Sequence, residues 1–104
     1  QVVDTSMVEG AASLMTAAYG QLAAGAFKET RQSNRLDGGC HHYNVYLTAD
    51  DEHICIGSNE PQFYKRLLET VGLGDADLPA QTDRERWPMM REKLQAIGHE
   101  ADEQ

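Results

Sequence analysis

The chain has 104 residues, of which 40% are hydrophobic and 25% are charged, a size and composition typical of one small soluble globular domain. The 17 acidic residues outnumber the nine Lys and Arg residues and give a formal net charge of -8. This charge would repel a phosphate backbone, so no nucleic-acid partner is expected. Two cysteines, Cys40 and Cys55, are too few for a secreted disulfide scaffold, so we expect reduced thiols and a cytoplasmic protein.

The first 27 residues predict a short strand followed by one long helix. Residues 1–5, QVVDT, are β-prone, and residues 7–27 are rich in Ala, Met and Leu at helical spacing. Thr5 or Ser6 is expected to cap this helix. The helix has about the length of a membrane span, but Glu9 and other polar side chains interrupt it, so we predict a buried helix and no membrane partner.

A polar linker and a β-hairpin follow. Residues 28–39, KETRQSNRLDGG, end in a glycine pair and predict a linker or an extended loop. Beyond it, apolar residues alternate with other side chains on both sides of the polar stretch ADDE, which predicts a β-hairpin with one buried face. The alternating residues are Tyr43, Val45 and Leu47 in the first strand and Ile54 and Ile56 in the second.

Two further helices complete the predicted fold. In EPQFYKRLLETVGL, Pro61 suits a first helical position, and one apolar face is made by Phe63, Leu67 and Val71 with Tyr64 and Leu68. In RERWPMMREKLQAIGHE, Pro88 predicts that the regular helix begins near Trp87. The inward residues of this last helix are predicted to be Trp87, Met90, Leu94 and Ile97. The fold class is therefore α+β: a long N-terminal helix, a β-hairpin or small antiparallel sheet, and two further helices.

Cysteine and histidine side chains near the hairpin raise the question of a metal site, because Zn²⁺ prefers these ligands. The candidates are Cys40, His41, His42, His53 and Cys55. Their spacing matches no known structural zinc pattern and contains no CxxC, so we predict a surface histidine pair, two half-buried thiols and no metal. A non-enzymatic metal-binding or interaction module remains an alternative, which tight zinc binding would support.

Glu60 lies in the stretch GSNEPQFY, between a predicted strand and a predicted helix. Two interpretations are open. Its carboxylate either stabilises the start of the helix, at the positive end of the helix dipole, or takes part in chemistry. From composition alone, helix initiation is the favoured interpretation.

An ordered set of motifs favours the other interpretation, in which Glu60 takes part in chemistry. The stretches QVVDTSMVEGAASLM, NRLDGG, GSNEPQFY and LPAQTDRERWPMMR resemble the α-methylacyl-CoA racemases of the family III CoA-transferase superfamily, which typically show VDAAMVDGA, LDGGAPFY, VGAIEPQFY and DRxxWP. The resemblance covers nearly the whole chain, which opens on Gln rather than Met, and implies a fragment of a longer parent. Residues 1–27 would leave the parent's large CoA-binding domain, residues 28–39 would be a crossing linker, and residues 40–104 would form a small α+β domain.

The resemblance also implies a reaction. A His and an Asp in the large domain, before this segment, would remove and return a proton at the α-carbon of a 2-methylacyl-CoA thioester. The implied substrate is the thioester itself, no further cofactor is implied, and the parent is expected to be an interlocked homodimer. The 104 residues alone are therefore expected to be inactive. A family III CoA-transferase, working through an Asp nucleophile, is the alternative enzyme.

Four residues of this chain match functional positions of the family. Glu60 matches the Glu that hydrogen-bonds the catalytic His and orients it. Leu36, Tyr43 and Asn59 match positions along which the acyl chain runs, although the family usually has an aliphatic residue where this chain has Asn59. The family's turn glycine is replaced by Asp51, a change expected to be harmless.

Overall fold

The computed structural model describes residues 1–100 and has an α+β fold, as the sequence predicts. Its elements are α1 (Met7–Leu14), α2 (Thr16–Ala23), β1 (Tyr43–Leu47), β2 (His53–Gly57), α3 (Pro61–Thr70) and α4 (Trp87–Glu100), with a 3₁₀ turn at Arg84–Arg86 before α4. The chain divides into two compact units, Gln1–Thr30 and a second that begins at Arg31. Residues 101–104, the end of the predicted small domain, lie outside the described residues.

The N-terminal unit contains two short helices, so the prediction of one long helix was wrong. Ser6 caps α1 as predicted, because its hydroxyl oxygen accepts from the Glu9 N–H at 3.1 Å. At Met15 the backbone leaves the helical conformation, where the Thr16 hydroxyl donates to the Ser13 carbonyl at 2.6 Å. Such side-chain bonds compete with the helical backbone pattern and bend helices. Beyond α2, Gly25 adopts φ +72° and ends the helix before residue 27.

Two further expectations for this unit also differ from the structure. Residues 1–6 form no regular secondary structure in place of the predicted strand, because a strand needs a pairing partner and the sheet among residues 1–100 contains β1 and β2 alone. Neither α1 nor α2 has a buried residue, since two eight-residue helices offer each other little surface to cover. Among the residues described, no helix is both long and apolar enough to cross a membrane.

In the second unit, the two strands pair antiparallel, with Tyr43 opposite Gly57 and Leu47 opposite His53. Directly opposed residues share a face of the hairpin. The register therefore places the apolar residues of β1 on one face and Ile54 and Ile56 of β2 on the other. Tyr46 is the buried strand residue, so the prediction of one buried face bearing both apolar sets was wrong. Alternation within each strand was correct, but the register between strands separates the two sets.

The turn between the strands spans residues 48–52 and is a longer loop rather than a two-residue turn. The Thr48 N–H donates to the Glu52 carbonyl at 2.9 Å, and the Asp51 N–H donates to the Thr48 carbonyl at 3.1 Å. Asp51 adopts φ +61°, a left-handed conformation that glycine favours and aspartate tolerates. The residue that replaces the family's glycine thus occupies the position where a glycine would be favoured.

Helix α4 supplies three of the six buried hydrophobic residues found among residues 1–100. Trp87, Met90 and Leu94 are buried as predicted, whereas Ile97 is half-buried and Gly98 is buried instead. A Cβ at Gly98 would lie 3.1 Å from the Leu47 carbonyl oxygen, which explains the preference for a residue without a side chain. In α3 only Tyr64, one residue of the predicted apolar face, is buried, and its hydroxyl lies against the buried His41. Phe63, predicted on the same face, is 53% exposed.

Gln95 of α4 joins this helix to the hairpin. Its side-chain oxygen accepts from the Leu47 N–H at 3.2 Å, and its nitrogen donates to the Leu47 carbonyl at 2.7 Å. The amide therefore pairs with β1 as a neighbouring strand would, on the edge that β2 leaves free.

Replacing Gln95 with Ala is expected to lower the free energy of unfolding by about 1–2 kcal/mol, because both Leu47 backbone groups lose their protein partner. Urea denaturation would measure the change. Lys93→Ala, at an exposed position of the same helix, is the matched control and is expected to have little effect. Equal stabilities for the two variants would contradict the strand-like role of Gln95.

Candidate functional site

An apolar groove of about 390 Å³ lies beside the hairpin. Leu36 and Tyr43, two of the three residues for which the family resemblance implies contact with an acyl chain, both line it. The complete lining is Leu36, Gly38, Tyr43, Asn44, Val45, Cys55, Ile56 and Gly57. None of these is an Asp, Glu, Lys, Arg or His, so the groove suits an uncharged, mainly apolar ligand.

Leu36 is held in the groove by a folded loop within residues 28–39, the stretch predicted to be a linker or extended loop. The two Asp37 carboxylate oxygens each lie 2.8 Å from Asn34 nitrogens, one from the backbone and one from the side chain. Arg84 donates to the Ser33 carbonyl and, at 3.1 Å, to the Asn34 side-chain oxygen. The NRLDGG stretch is therefore tied to the DRERWP stretch, and Leu36 extends from this loop with 65% of its surface exposed.

The end of the same loop is fixed against the hairpin and α4. The Gly38 carbonyl accepts from the Asn44 side chain at 3.0 Å and from Arg91 at 2.9 Å. Cys40 is fully buried, and its thiol donates to the Arg35 carbonyl at 3.1 Å. Burial raises the pKa of this thiol, which keeps it protonated and unreactive near neutral pH.

Tyr43 is placed by its cross-strand neighbour. Gly57 lies opposite Tyr43, and a Cβ built at Gly57 would lie 3.7 Å from the Tyr43 ring. The ring therefore lies over a position without a side chain, a contact that fixes an aromatic side chain on the face of a sheet. Tyr43 remains 42% exposed and is available to contact a ligand in the groove.

The other two predicted site residues lie beyond β2 and do not line the groove. Asn59 is half-buried; its backbone carbonyl accepts from Gln81 at 2.9 Å, and its side-chain oxygen is buried without a hydrogen-bond partner among residues 1–100. Glu60 is exposed and precedes α3. Its backbone carbonyl accepts from the Tyr64 N–H at 2.9 Å, but its side chain makes no capping hydrogen bond. The backbone of Glu60 therefore begins the helix while its carboxylate stays free of that role.

The metal candidates are not brought together. Within residues 1–100 no group of three or more His, Cys, Asp or Glu side chains is arranged to hold a metal ion. The predicted surface histidine pair is buried instead, with His41 1% and His42 3% exposed, and the thiols are not both half-buried, since Cys55 is exposed. The His41 ring nitrogen Nε2 and the Tyr64 hydroxyl share a hydrogen bond of 2.8 Å. His41 is thus part of the core, not a ligand.

The buried histidines predict a stability that depends on pH. Burial, with the neighbouring His42, lowers the pKa of His41 to about 4, and burial, with nearby Arg35, also lowers the pKa of His42. An unfolded histidine titrates near pH 6.5, so the unfolded chain binds more protons between that pH and about pH 4. The free energy of unfolding is therefore expected to fall across this window as the pH is lowered, by up to about 1.4 kcal/mol per pH unit for His41. His42 contributes in the same direction.

Urea denaturation between pH 7.5 and pH 4.5 would measure this loss. In His41→Phe the dependence of stability on pH is expected to be weaker, because the phenylalanine ring takes up no proton when the chain unfolds, whereas the imidazole ring does. His53→Gln, at an exposed position, is the control and should keep the full dependence. A dependence of the same size in His41→Phe would show that other groups cause it.

Two of the eight residues that line the groove, Leu36 and Tyr43, were predicted as site residues, and the other six were not. Val45 and Cys55 lie directly opposite each other and both line it, yet Val45 was predicted to be buried and Cys55 was considered only as a metal ligand or thiol. The signal was present in the strand alternation: Tyr43 and Val45 share a face, and a five-residue turn would place Cys55 and Gly57 on that face too.

Comparison with known proteins identifies the class to which the fold and groove belong. The family model for "CoA-transferase family III" matches residues 1–103, and the chain belongs to this family. Its curated relatives include the alpha-methylacyl-CoA racemases of Mus musculus, 44% identical over 94 residues, and of Homo sapiens, 40% identical over 94 residues. Each match covers 90% of this chain and 25% of the relative, so the chain spans about a quarter of the length of these relatives.

Proposed function

We propose that the protein containing this chain is an acyl-CoA racemase that inverts the α-carbon of 2-methylacyl-CoA thioesters. The observation that carries the proposal is the 44% identity, over 90% of this chain, to a protein named alpha-methylacyl-CoA racemase. The uncharged groove lined by Leu36 and Tyr43 supports it, because such a lining suits the apolar acyl part of the substrate.

The proposed reaction is a 1,1-proton transfer. The thioester acidifies the neighbouring C–H bond, one group removes the proton, and a group on the opposite face returns one, which inverts the centre. In this proposal a His and an Asp, both outside this chain, are the two groups. The reaction needs no cofactor, because the thioester itself stabilises the enolate-like intermediate.

Within this scheme the chain supplies positioning and substrate contacts. Glu60 would orient the catalytic His, a role for which its carboxylate is available because it does not cap α3. Leu36, Tyr43 and Asn59 would contact the acyl chain. The catalytic unit would be an interlocked homodimer of the longer protein, in which this small domain closes over the large domain. The 104 residues alone would then be inactive.

The test uses the full-length protein with a 2-methylacyl-CoA in D₂O. Deuterium should enter at the α-carbon with inversion of the centre, as followed by mass spectrometry and chiral analysis. Stereochemically unchanged substrate with no deuterium would overturn the proposal.

A CoA-transferase is the second candidate, favoured by the family match itself. Such an enzyme would use an Asp nucleophile and move CoA to a free acid. The same incubation, with a free carboxylic acid added, separates the racemase from the transferase. CoA transfer without α-proton exchange would identify the transferase. Glu60 would then be a residue that only begins a helix.

A further inference from the structure

Val45 and Cys55 line the groove beside the hairpin but have no role in the function proposed above. Val45 and Cys55 oppose each other across the two strands, and both are exposed. The ladder hydrogen bonds that flank the hairpin join Thr48 to Glu52 and Ser58 to His42. Because hydrogen-bonded pairs alternate with non-hydrogen-bonded ones along an antiparallel ladder, the pair Val45 and Cys55 is non-hydrogen-bonded, the type that brings side chains closer.

Two larger residues of the lining are positioned by contacts of their own. Leu36 extends from the loop that Asp37 and Arg84 hold together. Tyr43 lies over Gly57, on the hairpin face that carries Val45 and Cys55. The groove is therefore lined by two small side chains together with two larger, positioned ones.

The chemistry of the lining favours one occupant. A second groove of about 420 Å³ shares Asn44 and Val45 with this one and includes Arg91 and Glu92 in its lining. The groove that Cys55 lines has no charged side chain. Its volume of about 390 Å³ is within the range of small-molecule sites, about 300–1,000 Å³. An apolar chain fits such a surface, and the phosphates of coenzyme A do not.

We propose that Val45 and Cys55 form the floor of the acyl groove and set the length of acyl chain that the enzyme prefers. This inference rests on the function proposed above. Because both side chains are small, the floor is deep, and it should accept a long acyl chain. A larger side chain at either position would fill the floor and exclude the distal part of a long chain but not a short one.

The first test compares two substrates of the full-length enzyme, 2-methylbutanoyl-CoA and 2-methyldodecanoyl-CoA, by kcat/KM for α-proton exchange. In Cys55→Phe the long-to-short ratio is expected to fall by about tenfold or more, since a hydrophobic pocket discriminates by about this factor over a few methylene groups. Val45→Phe, on the opposite strand, should act in the same direction and provides a second variant in case one fails to fold.

Ile54→Phe is the matched control. Ile54 precedes Cys55 in β2, is 45% exposed and lies on the other face of the hairpin, so the same enlargement there should leave the ratio unchanged. An unchanged ratio in both Cys55→Phe and Val45→Phe, or the same fall in Ile54→Phe, would overturn the inference.

A second test requires binding only. Cys55 is exposed whereas Cys40 is buried, so iodoacetamide should alkylate Cys55 through thiolate attack and loss of iodide. Mass spectrometry of the peptide containing Cys55 should show slower alkylation with 2-methyldodecanoyl-CoA than with 2-methylbutanoyl-CoA, a short thioester that has no free thiol to consume the reagent. Equal rates would overturn the inference. This assay also separates the two proposals. Protection of Cys55 from alkylation without α-proton exchange would support the acyl groove and reject the racemase. Exchange without protection would support the racemase and reject the acyl groove.

Discussion

Glu60→Gln in the full-length protein is expected to slow α-proton exchange by at least about 100-fold, because loss of a carboxylate that orients a catalytic imidazole costs between about two and four orders of magnitude. The change is isosteric and removes only the charge. The backbone carbonyl of Glu60 begins α3 and its side chain makes no capping bond, so the free energy of unfolding should change by less than about 0.5 kcal/mol. A catalytic defect without a folding defect is the expected result.

Deuterium incorporation measured across pH would separate positioning from a merely structural role. If Glu60 stabilises a protonated His, the pH profile of the variant should shift as well as fall, since loss of the carboxylate lowers the pKa of its partner. Glu69→Gln, at an exposed position in the same helix, is the control and should leave the rate and profile unchanged. Equal activity of Glu60→Gln and the unmodified enzyme would restrict Glu60 to helix initiation.

Gly39→Ala is expected to have the largest effect on folding, a loss of about 3 kcal/mol in the free energy of unfolding. A Cβ at this position would overlap the backbone of Asn34, with its carbonyl oxygen nearest and its nitrogen at 2.6 Å. The Gly39 N–H also donates to the Asn34 carbonyl at 3.1 Å and to Asp37 at 3.2 Å. Backbone atoms cannot rotate away as a flexible side chain would, so the loop that positions Leu36 would have to open.

Urea denaturation of Gly39→Ala beside Gly10→Ala would test this argument. Gly10 lies in α1, where a Cβ would meet no atom within 4 Å beyond the backbone of its own helix, so alanine there is expected to stabilise by about 0.5–1 kcal/mol through helix propensity. Both variants replace glycine with alanine, but the free energy of unfolding is expected to fall in Gly39→Ala and to rise in Gly10→Ala. Similar stabilities would mean that the loop accommodates a side chain at Gly39.

The elements that the sequence predicts well are those determined by local pattern. Trp87, Met90 and Leu94 repeat at helical spacing and are buried in α4, and Pro88 correctly indicates where that helix begins. The break at Met15 was not predictable from composition, because it coincides with one hydroxyl-to-carbonyl bond within an otherwise favourable helical stretch.

What the sequence does not show depends on partners distant in the chain. His41 is polar and was predicted at the surface, but it pairs with Tyr64, 23 residues further on. The groove depends on strand register, which local alternation leaves open. Leu36 and Tyr43 were found through family resemblance, whereas Cys55 becomes a groove residue only when β1 and β2 are paired.

Trp87 is the single tryptophan of the chain, and its surroundings make it an optical reporter. Its ring is 6% exposed, its nitrogen donates to the Gln81 carbonyl at 2.8 Å, and the His42 ring centroid lies 6.1 Å away. Arg84, which also holds the NRLDGG loop, lies 5.2 Å from the indole centroid. One emission spectrum of this chain therefore senses the loop, the buried histidines and the start of α4 together, without an attached dye.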